Sequence, residues 1–421
     1  MILMLKKIVT SYLILVFLFS IMIVICSLIP SSLLKENIGK SLITLKQEDL
    51  YETSGFPFRP ILLDNYTDSV MLNIAYAVDS KRPIWSAFVN MRFGKTNTVN
   101  QITILDAFFN NDPNGIKYGY YRYWHGYLIF LRPLLLFFTY SHIRIIITLA
   151  LYIAFIYFAL LSLEKLGKKA TVYFIVGLAA VDFFSVGKSM QYFSAFFIAI
   201  AGSIYALRTY KKDNHSYILF FVTGSLTSFF DLLTAPLVAL GMLLITITLL
   251  EKKNNIVPYS AFWFLGYLLL WSSKWIIVQL FYSQNALAST LNQIVFRAVG
   301  KVDSEFSQFN AVRLNILQLI GYDWMNRIIL TAFLCLAFIV LVKYFSFNRS
   351  KLKSLMPWIT IFFIPYGWYL ITANHSYVHT WFAYRSQFMS VLALLMIYDQ
   401  FIDWPKFAKD IRAKVRKFWE K

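Results

Sequence analysis

Asp64 and Asp68 stand four residues apart in Asp64-Asn65-Tyr66-Thr67-Asp68-Ser69, just ahead of the run Val70-Met71-Leu72-Asn73-Ile74-Ala75-Tyr76. On a helix that spacing places both carboxylates on one face. Such a pair can supply a general base or bind a cation; the plainer alternative is that Asp64, Thr67 or Asp68 caps the helix that follows. Asp182, Lys188 and Gln191 share one short polar segment, Asp231 lies in Ser228-Phe229-Phe230-Asp231-Leu232-Leu233-Thr234-Ala235-Pro236, and Lys274 sits inside Trp271-Ser272-Ser273-Lys274-Trp275. A further stretch, Asn374-His375-Ser376-Tyr377-Val378-His379, leads to Arg385. His375 and His379 can share a helical face, but no nearby acidic residue completes a motif such as H-E-x-x-H, so no metal is expected. Together with Arg385 they suit an anion, since Arg provides a permanent planar charge and His donates or shuttles a proton. Other readings stay open: Lys274 pairs with Asp231 or Asp182 to hold helices together, Lys188 is an ordinary loop charge, and the histidines belong to an aromatic belt.

The elements that must position these residues are apolar. Of 421 residues, 58% are hydrophobic and 14% charged, against roughly 45–50% and about 25% in soluble domains, which excludes a water-soluble multidomain enzyme. The net charge of +19 fits either nucleic acid or the positive-inside bias of a membrane protein. Ten runs approach the roughly 20 apolar residues that a span needs: 8–29, 143–163, 171–187, 190–207, 216–231, 234–250, 257–281, 326–345, 355–373 and 386–402. The first follows Lys6-Lys7, exceeds a signal-peptide core and lacks a small-residue cleavage site, so it reads as a retained anchor.

Just over half of the Lys and Arg residues lie beside Lys6-Lys7, in four loops after alternate runs, or in the tail. The loops carry Lys165 with Lys168-Lys169, Arg208 with Lys211-Lys212, Lys252-Lys253, and Lys343 with Arg349, Lys351 and Lys353; the tail at 403–421 ends at Lys421. This bias puts both termini in the cytoplasm and removes nucleic acid as a partner. The expectation is one integral-membrane domain over 1–421: a first span at 8–29, a large extracytoplasmic loop at 30–142, nine further spans within 143–402, and a second outer loop at 282–325. Within the first loop, 123–140 contains Tyr123-Trp124-His125-Gly126 and Arg132-Pro133, and reads as an interfacial or re-entrant helix with His125 and Arg132 at headgroup level. Cys26 and Cys335 fall in apolar runs and read as packing residues. The glycosylation triplets at Asn65 and Asn374 add little.

Sorted by side, the unusual Asp, Lys, His and Arg residues converge on the outer face. That face has no ATP or nucleotide-sugar, so a transferase there needs a lipid-carried donor. A polyprenyl-phosphate sugar offers an apolar tail for a groove between helices and a phosphate for Arg, Lys or His, with Asp as general base toward an acceptor hydroxyl. The layout resembles the GT-C superfamily of integral-membrane glycosyltransferases: one span, a large outer loop with an acidic pair, then many spans joined by short hairpins. The segments from Tyr123-Trp124-His125-Gly126-Tyr127 to Arg132-Pro133, from Phe230-Asp231 to Pro236-Leu237, and from Asn374 to His379 look like those of bacterial multi-pass proteins associated with surface-polysaccharide synthesis.

The resemblance implies an all-α polytopic fold of about ten transmembrane helices in a bacterial plasma membrane. It also implies an acidic base at Asp64 or Asp68, a polyprenyl-phosphate donor, and a glycan or lipid-linked acceptor. The chain lacks the adjacent Asp-Glu pair of several GT-C families and the Trp-Trp-Asp signature of oligosaccharyltransferases, which leaves the choice of base open; no cofactor is implied. The expected donor-binding set is His125, Arg132, Asp182, Lys188, Gln191, Asp231, Lys274, Asn374, His375, His379 and Arg385. A polysaccharide polymerase or ligase, a lipid-linked oligosaccharide flippase and a membrane scaffold are the alternatives. A late large outer loop would favour the polymerase, and charged residues along a path across the membrane would favour the flippase.

Overall fold

The apolar runs form helices, and the first polar segment folds into a cap over one end of them. A computed structural model describes residues 2–54, 61–211, 216–251, 254–282, 285–321, 324–348 and 352–419. Helix α1 (Ile2–Ser27) leads into the cap, which comprises α2 (Lys35–Glu48), β1 (Thr53–Ser54), β2 (Ile61–Leu62), α3 (Asn65–Ala77), α4 (Pro83–Val89), β3 (Met91–Lys95), α5 (Gln101–Phe109), β4 (Gly115–Gly119) and α6 (Leu128–Leu135). The strands pair antiparallel as β1 with β2 and β3 with β4. Then follow α7 (Tyr140–Lys165), α8 (Lys168–Ala180), α9 (Met190–Thr209), α10 (Ser216–Phe230), α11 (Pro236–Glu251) and α12 (Ile256–Phe281). The chain closes with α13 (Ala286–Val299), α14 (Gln308–Ile320), α15 (Trp324–Lys343), α16 (Leu352–Ile371), α17 (Ala373–Val378), α18 (Thr380–Ala383), α19 (Phe388–Gln400) and α20 (Trp404–Trp419).

Among the described residues, six helices are long and apolar enough to cross a membrane: α1, α7, α9, α12, α15 and α16. The fold is therefore all-α and of multi-pass membrane type. All ten apolar runs are helical, but four make helices of only 13 to 16 residues: α8, α10, α11 and α19. At about 1.5 Å per residue these reach roughly 20–24 Å, short of a hydrocarbon layer of about 30 Å. The reasons are local. Asp182 takes a left-handed conformation (φ 58°) that halts α8, and the chain continues as a 3-10 turn over Phe183–Lys188. The turn from Asp231 to Thr234 separates α10 from α11, and α18 with the 3-10 turn Tyr384–Gln387 delays the start of α19. Helix α11 is buried from Pro236 to Thr248, as expected of a central helix apolar on every face.

Close approach replaces large side chains between α10 and α12. A Cβ on Gly224 would lie 2.0 Å from the Trp263 carbonyl oxygen, and one on Gly266 would lie 2.0 Å from that of Phe221. Ser225 Oγ donates to the Gly266 carbonyl at 3.2 Å across the same seam, the packing that small residues permit between membrane helices.

The helix expected within 123–140 is short: α6 has eight residues, about 12 Å. It is a wedge whose Leu128, Leu131, Arg132 and Leu135 are all buried. Arg132 donates to the carbonyls of Cys26 (3.0 Å), Ile29 and Ala75. The carbonyls at the ends of α1 and α3 lack intrahelical donors, and a buried guanidinium satisfies them. Trp124 is likewise buried and donates Nε1–H to the Leu270 carbonyl at 2.6 Å.

Helices α7 and α9 begin at the cap and run away from it to Lys165 and Arg208. Of the basic loop residues that orient the sequence reading, Lys212, Lys252, Lys253, Arg349, Lys351 and Lys421 lie outside the described residues.

Candidate functional site

The two cap aspartates have different surroundings. Asp64 is the N-cap of α3, where Oδ1 accepts from the Thr67 backbone N–H at 2.9 Å and its own N–H donates to Ser189 Oγ at 2.9 Å. The Trp381 indole N–H faces the same carboxylate without closing a hydrogen bond to it. Asp68, one turn on, is fully enclosed. It accepts from the Tyr140 hydroxyl and from the backbone N–H groups of Met190 (3.1 Å) and Gln191 (3.0 Å). It thus caps the N-terminus of α9, a place that favours a carboxylate. Burial pushes both carboxyls above their ordinary range, Asp64 to about 6 and Asp68 to about 7, while the Thr67 N–H, and after it Arg385, holds the first down and Arg144 the second. With three donors already placed on it, Asp68 ties cap to bundle, whereas Asp64 accepts one backbone N–H as the N-cap of α3.

Arg385 stands beside this pair. Its guanidinium is buried and lies 4.2 Å above the Tyr192 ring and 5.1 Å from that of Tyr384. Nη1 donates to the Trp381 carbonyl at 2.9 Å, whereas Nε and Nη2 close no hydrogen bond among the described residues, the nearby Tyr192 hydroxyl included. Asp182 and Asp64 both lie within electrostatic reach, and Tyr384 donates its hydroxyl to Asp182. A buried planar cation with an edge of two free N–H groups is suited to an oxyanion.

His375 and His379 adjoin it, with ring centroids 4.8 Å apart, and His379 meets Trp381 edge-on at 5.1 Å. Their tautomers follow from their partners. His375 Nε2 lies 2.8 Å from the Leu233 carbonyl and must donate, so Nδ1 is a bare acceptor. His379 Nε2 lies 3.0 Å from Arg297 Nη1 and must accept, so Nδ1 bears the proton, again with no partner. Burial, followed by the Arg297 charge, lowers His375 to about 3, and burial holds His379 well down. Both rings are therefore neutral, His375 presenting an acceptor and His379 a donor.

Polar atoms without partners continue around this cluster. Asp231 accepts from the Thr234 N–H at 2.8 Å through Oδ2, and its Oδ1 is buried and unpartnered. Asn374 donates to the Gly300 carbonyl at 2.6 Å, leaving Oδ1 unmatched, and Gln191 Oε1 is in the same condition. Among the described residues, no three His, Cys, Asp or Glu side chains are grouped to hold a metal.

Other expected site residues lie elsewhere. Lys274 is buried under the cap, donating to the Ala87 carbonyl (2.9 Å) and Asn90 Oδ1 (2.7 Å) and lying 5.3 Å from the rings of Phe88 and Trp124. It pins α4 to α12 and pairs with neither Asp231 nor Asp182. His125 is enclosed by Tyr127 Oη and the Tyr120 carbonyl at 3.1 and 2.8 Å, and burial lowers its pKa to about 3. Arg132 is spent on its three carbonyls. Lys188 is exposed at the end of its 3-10 turn. Arg297 and Tyr192 carry no motif that marks them in the sequence; Trp381 and Tyr384, in the hairpin that leads to Arg385, read there only as part of an aromatic belt.

No protein-family profile, curated protein or solved structure matches this chain. An apolar groove of about 790 Å³ runs between α9 and α10. Ile129, Phe130, Phe193 and Phe230 line its cap end, and Thr209, Tyr210 and Ser216 line the other. From Phe193 to Tyr210 α9 rises about 25 Å. Tyr205, 57% exposed, stands in the wall, so the groove opens on the membrane-facing surface. Its cap end reaches Phe193 and Phe230, chain neighbours of Tyr192 under Arg385 and of Asp231.

Proposed function

We propose that the chain is a membrane glycosyltransferase of the GT-C kind, with both termini in the cytoplasm of a bacterial cell and the cap outside. On this reading all ten apolar helices belong to the membrane domain. It moves a sugar from a polyprenyl-phosphate donor to a glycan or lipid-linked acceptor. The observation that carries this reading is the buried, half-unpartnered guanidinium of Arg385, next to the Asp64 carboxyl and stacked on Tyr192, whose neighbour Phe193 lines a long apolar groove. Few ligands need an anion site, a base and about 25 Å of apolar wall together, and a phosphate on an isoprenoid chain is one of them.

In the reaction the acceptor hydroxyl oxygen attacks the anomeric carbon while the bond from that carbon to the phosphate oxygen breaks. The hydroxyl proton passes to Asp64, whose value of about 6 keeps it ionised yet basic near neutral pH. The polyprenyl phosphate departs with its new charge held by Arg385 Nε and Nη2, a pre-aimed electrostatic contact of the kind that contributes most to such barriers. Asp231 Oδ1, Asn374 Oδ1, His375 Nδ1 and His379 Nδ1–H supply acceptors and a donor for sugar hydroxyls.

The test is sugar transfer from synthetic polyprenyl-phosphate donors by purified protein in liposomes. Wild type should transfer, and Asp64→Asn should lose at least about a hundredfold in rate, in line with the usual contribution of a general base. Undiminished transfer by Asp64→Asn removes the base assignment. Absence of transfer across a panel of donors, with polyprenyl phosphate not bound, removes the reading itself.

A further inference from the structure

Helix α20 takes no part in the site. Among the described residues it is the most strongly two-faced helix, and none of its residues is buried. At 100° per residue, Trp404, Phe407, Ile411, Val415, Phe418 and Trp419 fall in one sector of about 120°, while Lys406, Lys409, Arg412, Lys414, Arg416 and Lys417 fill the remainder with a single acid, Asp410. We propose that α20 lies in the plane of the bilayer surface at the end remote from the cap, with its apolar sector in the acyl boundary and its cations on anionic lipid headgroups.

Its tethers set that level. Tyr344, the residue after membrane helix α15, meets Phe407 edge-on at 5.2 Å and donates its hydroxyl to Asp410 at 3.1 Å. Lys169, at the start of α8, lies 5.0 Å from the Trp404 ring. The first turns of α20 are thus fastened to the points where two helices leave the membrane, with Phe407 turned toward the bundle. The same apolar sector continues beyond these tethers through Val415, Phe418 and Trp419, which are 50, 75 and 80% exposed. Among the described residues no protein group covers them, and on this proposal lipid continues the apolar flank of α15 at this level. The basic flanks match the negative potential of an anionic leaflet, where each Lys or Arg contributes about 1 kcal/mol. A large moment, basic polar face and terminal tryptophans are the features of in-plane helices.

The test is amide hydrogen exchange over 404–419 in the full-length protein, held in nanodiscs of phosphatidylcholine or of an equal mixture with phosphatidylglycerol. Exchange should be at least about tenfold slower in the mixture, and the difference should shrink at high salt. Lys409→Gln with Arg412→Gln and Arg416→Gln should make the two lipids equivalent. Ile411→Ser with Val415→Ser and Phe418→Ser should give fast exchange in both, while α11 stays protected as the folding control. Equal exchange of wild type in the two nanodiscs overturns the proposal. So does protection that survives the serine variant, since α20 would then be held by protein, a second copy included.

Discussion

Replacing Arg385 separates a ligand-binding arginine from a structural one. Two of its donors, Nε and Nη2, are buried without partners, while one bond to the Trp381 carbonyl and the stack over Tyr192 hold the side chain in place. Each unpartnered buried donor costs about 1–3 kcal/mol, so the two cost about 2–6 kcal/mol. The charged bond to Trp381 and the cation–π contact together return about 2–5 kcal/mol. These contributions are of similar size and opposite sign, so Arg385→Gln should leave the ligand-free melting temperature nearly unchanged. Polyprenyl phosphate should respond differently. A hydrogen bond to a charged group contributes about 1.5–3 kcal/mol, so losing two weakens binding by at least about 3 kcal/mol, more than a hundredfold. Arg385→Lys keeps the charge but not the fork and should lose about tenfold or more. Equilibrium binding of radiolabelled polyprenyl phosphate to nanodisc-embedded protein measures the affinities, and thermal unfolding measures the other half. Unchanged affinity together with a fall in melting temperature would refute the reasoning, because Arg385 would then be a packing residue.

Asp68→Ala should lower thermal stability by about 2–4 kcal/mol, because it strands the Tyr140 hydroxyl and the first N–H groups of α9; Asp64→Asn should leave unfolding nearly unchanged, as calorimetry can show. Asp64 acts in its ionised form, so the transfer rate should be level above about pH 6 and fall with decreasing pH below it, toward tenfold per unit; Asp64→Glu, if active, should shift the profile. Nitrogen-15 shifts of labelled histidines should show His375 as the Nε2–H tautomer and His379 as the Nδ1–H tautomer, both unprotonated at pH 5; Arg297→Gln should disturb only His379. Lys274→Met should loosen α4, raising protease cleavage in the cap around Ala87 and Asn90, without altering polyprenyl phosphate affinity.

Much of this was legible in the chain and some was not, for reasons that differ by residue. The ten helical runs announce themselves because apolar length and loop charge are local properties. Their unequal lengths do not, because where α8 stops depends on a left-handed Asp182 and where α19 starts depends on the turns at 380–387. The partners of the wedge at α6 are hidden for a related reason. An Arg-Pro inside an apolar stretch looks like a surface feature until the carbonyls of Cys26, Ile29 and Ala75, roughly 60 to 100 residues distant in sequence, supply it with partners. Arg297 was invisible because an ordinary amphipathic helix carries it, and only folding of the 282–325 segment sets it on His379.

The same logic sorts the charged residues that burial alone does not distinguish. Arg132, Lys274 and Asp68 are all fully enclosed, and each meets backbone or side-chain groups that answer its charge. Removing any of them strands its partners. Arg385, Asp231, Asn374 and His375 are just as enclosed and His379 is half-buried, yet each keeps at least one atom with no partner among the described residues. In a low-dielectric interior such atoms lower stability. They occur together at the junction of the cap with α9, the Asp231–Thr234 turn and the hairpin leading into α19. On the proposed reading, these atoms beside the Asp64 carboxylate and close along α9 to an apolar groove would meet a polar headgroup carried on a long apolar chain.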